Sequence, residues 1–504
     1  MTRIQPPAGR MAAALSLALL AGCAPAPGTR ADSTPDIGLR LGTLAFEPCS
    51  LGSQMPGIGP LEAHCTTFEV PEDRSRPDGR RIALNIAWVP ARNDADPAPD
   101  PIVFLAGGPG QAAVATFPPL APVFRDAMKD RGVLLVDQRG TGESNLLSCE
   151  ASSDDLAETD PARMEAWTRE CIAELSKKAD LRHYTTTQAV ADLDAVRQAI
   201  GAGQLNLVGV SYGTRMAQQY ALRHPQHVRT LTLDSPVPNT LGLGNIFARN
   251  LDNALAAQFA LCAQNAACKQ RMGDPRAQLQ ALLARLRDTP QQVTYRDAST
   301  GEEKTGMLTA DTVAGLVRMY AYMPAAGALL PQLIREADQG RPANLMALAQ
   351  MLQTEMKDAM AMGMQMSVIC SEDAASMVAR DEDADTVLGN RMTEAMARMC
   401  ALWPKGAKPA DFNTALAGDW PVLVLTGEFD PVTPPEYGEE IAKALPNARW
   451  LDLKGQGHNV IGAGCMPKLF AQFIEKADAA ALDAKCLDQL AYVPPFTSFN
   501  GWEP

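Results

Sequence analysis

The chain reads as an α/β protein, with a mostly parallel central sheet interrupted by an inserted helical domain. Three observations predict this. Short aliphatic runs alternate with helix-period segments through the first half, the pattern of a parallel sheet. The alternation stops near residue 241, where a stretch rich in Ala, Leu, Met and Gln runs to about 405 without strong strand signals. Strand runs then resume. The expected organisation is 41–240 for the first part of the core, 241–405 for the helical insert and 406–504 for the second part. The last includes a C-terminal disulfide-bonded segment.

The N-terminus precedes the fold. Arg3 and Arg10 precede the apolar run "MAAALSLALLAGC". That is a signal-peptide pattern, too short for a membrane span. Leu20-Ala21-Gly22-Cys23 resembles a bacterial lipobox, in which the Cys is acylated. Residues 1–22 therefore read as a lipoprotein signal, Cys23 as the lipidated first residue and 23–40 as a flexible tether. An ordinary secretory signal cleaved nearby is the alternative.

Core elements follow in order. "RIALNIAWVP" (81–90) alternates as a strand does, and "PIVFLAGGPG" (101–110) is a buried strand ending in a Gly/Pro turn. "GVLLVDQRGTGES" (132–144) is a strand with a polar loop at its C-terminal end. "TTTQAVADLDAVRQAIG" (185–201) is an amphipathic helix with Thr at its start and Gly at its end. "QLNLVGV" (204–210) and "RTLTLDS" (229–235) are strands around a further helix. After the insert, "PVLVLTGEFDPVTP" (421–434) and "ARWLDLKGQGH" (448–458) restore the strand pattern.

Composition narrows the function classes. Of 504 residues, 46% are hydrophobic and 20% charged, ordinary for a globular protein. A net charge of −13 argues against nucleic acid as a partner. There are eleven cysteines; with Cys23 set aside the remainder is even, as an oxidising compartment favours. Proximity in sequence suggests Cys49–Cys65, Cys149–Cys171, Cys262–Cys268, Cys370–Cys400 and Cys465–Cys486, although sequence leaves other connectivities open. No cysteine or histidine spacing suits zinc, and neither metal nor cofactor is called for. "MLQTEMKDAMAMGMQM" (351–366) holds six Met. Such a stretch fills irregular apolar surface or lines an adaptable pocket, with soft-metal binding the lesser alternative.

Chemistry concentrates at "NLVGVSYGTRMAQQYALRHP" (206–225). Gly209-x-Ser211-x-Gly213 fits a nucleophile elbow: a strand enters, a helix leaves and glycines flank the strained turn. A serine hydroxyl needs a base, and the base needs an orienting acid. Of five histidines, His64, His183, His224 and His227 lie in unsuitable places. His458 follows a late strand, where a hydrolase with the chain order Ser, acid, His puts its base. Asp430 in "EFDPVTPP", one strand earlier, is the preferred acid, and Asp234 at the end of "RTLTLD" is the alternative. The oxyanion of a tetrahedral intermediate needs two donors. Tyr212 N–H is one; the turn "AGGPGQ" (106–111) supplies the other, with Gly108 preferred over Gly107.

Five motifs, "FLAGGPGQ", "VLLVDQRGTGES", "NLVGVSYGTRMAQQYALRHP", "LVLTGEFDPVTP" and "GQGHNV", occur in order. Together they resemble the proline iminopeptidase and tripeptidyl aminopeptidase branch of the α/β hydrolases. The resemblance covers about residues 45–490, including the insert as a helical cap. It implies an α/β-hydrolase fold, Ser211 as nucleophile, Asp430 as acid and His458 as base. It also implies cleavage of short peptides near a free N-terminus, with cap carboxylates holding the amine. Ala106 stands where proline iminopeptidases usually have His, which leans towards the exported tripeptidyl-aminopeptidase-like members. In "VICSEDAA" (368–375), Glu372, with Asp373 behind it, is the expected amine-binding group. Short peptides are the expected partners, with membrane contact only through the lipid anchor. Two rival readings are an esterase on the same scaffold and a non-catalytic envelope lipoprotein.

Overall fold

Among the described residues nine strands build one sheet. In chain order they are β1 (Glu47–Leu51), β2 (Leu61–Pro71), β3 (Arg81–Val89), β4 (Ile102–Leu105), β5 (Val133–Val136), β6 (Leu205–Val210), β7 (Val228–Asp234), β8 (Val422–Gly427) and β9 (Ala448–Leu453). The order across the sheet is β9-β8-β7-β6-β4-β5-β3-β2-β1. From β9 to β5 every neighbouring pair is parallel. At the other edge β3, β2 and β1 pair antiparallel. The computed structural model describes residues 38–52, 57–93, 95, 97–149 and 160–502. The expected signal segment, Cys23 and the expected tether up to residue 37 lie outside the described residues.

The central strands are apolar because both sheet faces are covered. β4, β6 and β8 are buried at every position. Successive side chains of β4 go to opposite sides, as strand geometry requires. Val103 and Leu105 join a core with Leu207, Met216 and Tyr220, while Ile102 and Phe104 join one with Phe124, Phe470 and Phe473. The helices used below are α1 (Pro161–Leu175), α2 (Thr186–Ala199), α3 (Tyr212–Arg223), α4 (Phe247–Gln264), α5 (Ala310–Ala321), α6 (Met362–Glu372), α7 (Arg391–Leu402), α8 (Pro435–Lys443) and α9 (Met466–Lys476). Thr185 caps α2 by accepting from Gln188 N–H, which explains the threonine at its start.

The segment between β7 and β8 has its own core, including Leu251, Leu282, Val313, Val317 and Leu333. It is not wholly helical, and here the sequence reading needs correction. Gln291–Arg296 and Glu303–Leu308 form an antiparallel hairpin. Only Val293, Tyr295 and Leu308 of it are buried. The remaining polar alternation faces outward and left no apolar run to read. The chain from Leu39 onward nonetheless forms one compact unit.

The five cysteine pairs are bonded as Cys49–Cys65, Cys149–Cys171, Cys262–Cys268, Cys370–Cys400 and Cys465–Cys486. Cys370–Cys400 joins α6 to α7. Within the Met-rich stretch, Met364 and Met366 are buried in the main core, consistent with gap filling. Among the described residues no helix is long and apolar enough to cross a membrane.

Candidate active site

Ser211 stands between β6 and α3 with φ 55° and ψ −120°. Backbone torsions of this kind are strained for a residue with a side chain and turn up at functional turns. The flanking glycines are required by contact. A β-carbon on Gly209 would sit 2.4 Å from Gly213 O, and one on Gly213 would sit 2.1 Å from Leu105 O. Strand and helix can therefore meet this closely only with glycine at both places.

Asp430, in the loop after β8, is 2% exposed. Its Oδ1 accepts from Val432 N–H at 2.8 Å and Thr433 N–H at 2.9 Å. Its Oδ2 accepts from Thr433 Oγ1 at 2.9 Å and pairs with His458 Nδ1 at 2.7 Å. All the lone pairs of this carboxylate have defined partners, so the imidazole has a fixed orientation and tautomer. His458 N–H donates to Tyr322 O at 2.9 Å, and the Tyr322 ring stands edge-on to the imidazole at 5.1 Å. The end of α5 in the cap thus bonds directly to the histidine loop.

Asp234 is not the partner of the imidazole, but it organises both halves of the site. Its carbonyl accepts from Ser211 N–H at 2.9 Å. Its carboxylate accepts from Val460 N–H at 2.9 Å and Ile461 N–H at 3.0 Å. The adjacent Ser235 Oγ accepts from Asn459 N–H at 2.8 Å. The elbow and the histidine loop therefore hang from the C-terminal end of one strand, β7. Burial lifts the Asp234 carboxyl to about 6, against the pull of the Val460 and Ile461 N–H groups. The end of "RTLTLD" pointed to this residue, though not to this task.

The glycine turn after β4 packs against the elbow. A β-carbon on Gly107 would lie 3.3 Å from Ser211 Cβ, so Gly107 is the glycine that faces the serine. Gly108 follows with φ 111° and a cis bond to Pro109. Asp137, which the sequence reading passed over, braces this turn. Its carboxylate accepts from Val114 N–H, just beyond the turn, and from Asn85 Nδ2, each at 2.9 Å. Burial raises its pKa. The signal was the polar "DQRGTGES" directly after an apolar strand.

Glu372 and Asp373, expected to hold the substrate amine, are both buried and bonded to neighbouring helices. Glu372 is 4% exposed, and its oxygens accept from Thr186 N–H at 2.7 Å and Thr186 Oγ1 at 2.8 Å. Thr186 Oγ1 continues to Tyr212 Oη at 2.7 Å. Asp373 pairs with Arg215 at 2.8 Å, and both side chains are fully buried. Glu372 and Asp373 Oδ2 join α6 to α2 and α3, while the buried Asp373 Oδ1 has no hydrogen-bond partner among the described residues. Burial pushes the Glu372 carboxyl up to about 7.

The other histidines lie elsewhere. His64 pairs with Trp88 within the sheet, His183 neighbours Asp73 and Asp180, His224 neighbours Asp194, and His227 bonds Gly203 O. Among the described residues no group of three or more His, Cys, Asp or Glu side chains is arranged to hold a metal ion.

Comparison with known proteins places this geometry in context. A family model described as the alpha/beta hydrolase fold matches residues 100–462. Serine protease Hip1 of Mycobacterium tuberculosis is 26% identical, over 94% of this chain and 96% of that protein. Tripeptidyl aminopeptidase of Streptomyces coelicolor is 26% identical, over 83% of this chain and 80% of its own length. Carboxylesterase B of M. tuberculosis is 28% identical, over 80% of this chain and 82% of its own length.

Proposed function

The chain belongs to the α/β-hydrolase fold family, and we propose that within it the protein is a serine aminopeptidase that cuts short peptides near their free N-terminus. The observation that carries acyl transfer is the bonding of Ser211 N–H and the His458 loop to one residue, Asp234, with Asp430 fixing the imidazole. Peptides are favoured over other acyl substrates by the likeness to a serine protease and a tripeptidyl aminopeptidase over most of the chain.

The reaction follows from the atoms. Ser211 Oγ attacks the scissile carbonyl as His458 Nε2 takes its proton. The oxyanion is held by Tyr212 N–H and an N–H of the 107–108 turn. The imidazolium, its charge balanced by Asp430, then protonates the departing amine. Water enters, gives a proton to the same nitrogen and adds to the ester carbonyl; the imidazolium then returns that proton to Ser211 Oγ as the acid leaves. No cofactor or metal takes part in these steps.

The N-terminal signal pattern with Cys23, and five disulfides of a kind that persist in oxidising compartments, support an exported lipoprotein. Intact mass of membrane-extracted protein tests this; an unmodified Cys23 refutes it. An esterase is the second reading, favoured by the likeness to carboxylesterase B and by the bonding of Glu372 and Asp373 to Thr186 and Arg215. Matched free and N-acetylated peptides separate the two. Cleavage of the free set alone, abolished in Ser211→Ala, is the expected result. Ester hydrolysis without peptide cleavage selects the esterase, and turnover by Ser211→Ala refutes the mechanism.

A further inference from the structure

A groove of about 1,010 Å³ is lined by α1, including Trp167, and by segments that include Arg318, Met362 and Met399. Its lining is tied to the catalytic apparatus at two points. Met362 follows Ala361, whose N–H donates to Gly110 O at 2.9 Å, at the end of the glycine turn. Arg318, on α5, reaches Tyr322 Oη at 3.5 Å, and Tyr322 flanks His458. The groove's lining is therefore bonded to the neighbours of both the glycine turn and the histidine.

Arg318 is a half-buried guanidinium that makes no ion pair among the described residues. Its neighbours are the Tyr322 hydroxyl and the Phe247 ring, 5.1 Å from the guanidinium carbon. Asp311, on the same helix and in the same groove, is taken by Arg391 at 2.7 Å. A partly desolvated cation without a counter-ion is costly, and an anion arriving in the groove relieves that cost. Position says which part of a substrate the anion belongs to. His458 hands its proton to the leaving group, so the leaving group lies on the histidine side of Ser211. Arg318 lies on that side, beyond Tyr322.

We propose that Arg318 binds a carboxylate on the leaving-group side of the substrate, so that the enzyme selects short peptides with a free C-terminal carboxylate close to the cut bond. This rests on the acyl-transfer reading above and adds the substrate class. A guanidinium–carboxylate pair of this kind corresponds to a preference of about 10- to 100-fold over the neutral amide.

The test separates recognition from turnover. Ser211→Ala protein is titrated calorimetrically with Ala-Ala-Pro-Ala as the free acid and as the C-terminal amide. The free acid is expected to bind at least about tenfold more tightly. Adding Arg318→Met should bring the ratio to about one, and Arg318→Lys should restore part of it. A purely packing role on Phe247 would change both ligands alike. Equal binding of the two by the Ser211→Ala protein, or an unchanged preference in the Arg318→Met background, overturns the proposal. Turnover by the wild-type protein is followed separately with 4-acetoxybenzoate and 4-acetoxybenzamide. If neither ester nor peptide is cleaved, the acyl-transfer reading fails, while the binding ratio still decides the role of Arg318.

Discussion

Asp430→Asn should inactivate the protein without unfolding it, and the direction follows from the hydrogen bonds. Asp430 Oδ1 faces two N–H donors, those of Val432 and Thr433. An amide nitrogen cannot sit there, so the asparagine oxygen must take that place and its NH2 must replace Oδ2. The NH2 then donates to Thr433 Oγ1 and faces His458 Nδ1. Two donors cannot meet, so Nδ1 must give up its proton and become the acceptor. The proton moves to Nε2, the nitrogen that has to accept from Ser211. The base is thus present in the wrong tautomer. An equivalent change in a Ser-His-Asp triad lowers kcat by about 10⁴-fold, or about 5 kcal/mol in the barrier. Stability should fall by only about 1 kcal/mol, because both backbone bonds to the side chain survive. Steady-state hydrolysis of a nitrophenyl ester and urea unfolding, measured on the same preparation, check both halves. A kcat within tenfold of wild type would show that Asp430 is not the orienting acid. Loss of activity in step with loss of fold would refute the tautomer argument.

Two further outcomes follow from contacts and pKa shifts. Gly213→Ala places a β-carbon 2.1 Å from Leu105 O and 2.8 Å from Ala106 O, so the elbow and the end of β4 must part. A loss of about 3 kcal/mol in chemical unfolding and of nearly all activity is expected, whereas normal stability would mean that the close approach is not real. Glu372 has its carboxyl raised from 4.5 to about 7 by burial. Between those values the unfolded chain loses its proton before the folded one, so this residue makes stability fall as pH rises from about 4.5 to 7, by at most about 3 kcal/mol. Glu372→Gln should remove that fall, and unfolding midpoints at pH 5 and pH 8 read it; an unaltered pH dependence would contradict the buried, protonated carboxyl.

Local chain chemistry was enough for the central strands and for naming Ser211, Asp430 and His458 as candidates. Runs such as "VLVLTG" and "LNLVGV" specify buried strands because both sheet faces demand apolar side chains. Gly-x-Ser-x-Gly specifies the elbow because only glycine tolerates the approach of Gly213 to Leu105 O. The cysteine pairs were legible because short segments bring their ends together cheaply. His458 and Asp430 could be chosen by chain order.

Partnership between distant segments was decided by the tertiary structure. Asp234 ends β7 and Asp430 lies just after β8, and their sequences do not say which one meets the imidazole. The register that puts β7 beside β8 does, leaving Asp234 under the N–H groups of Val460 and Ile461. Glu372 and Asp373 looked like groups waiting for a ligand. Packing of α6 on α2 and α3 gave them Thr186 and Arg215 instead. The cap hairpin was hidden because its outer positions are polar, and the groove at Arg318 because its walls come from segments far apart in sequence. A sequence states what each residue can do; burial and the neighbours that burial supplies determine which of those capacities are used up and which stay open to a substrate.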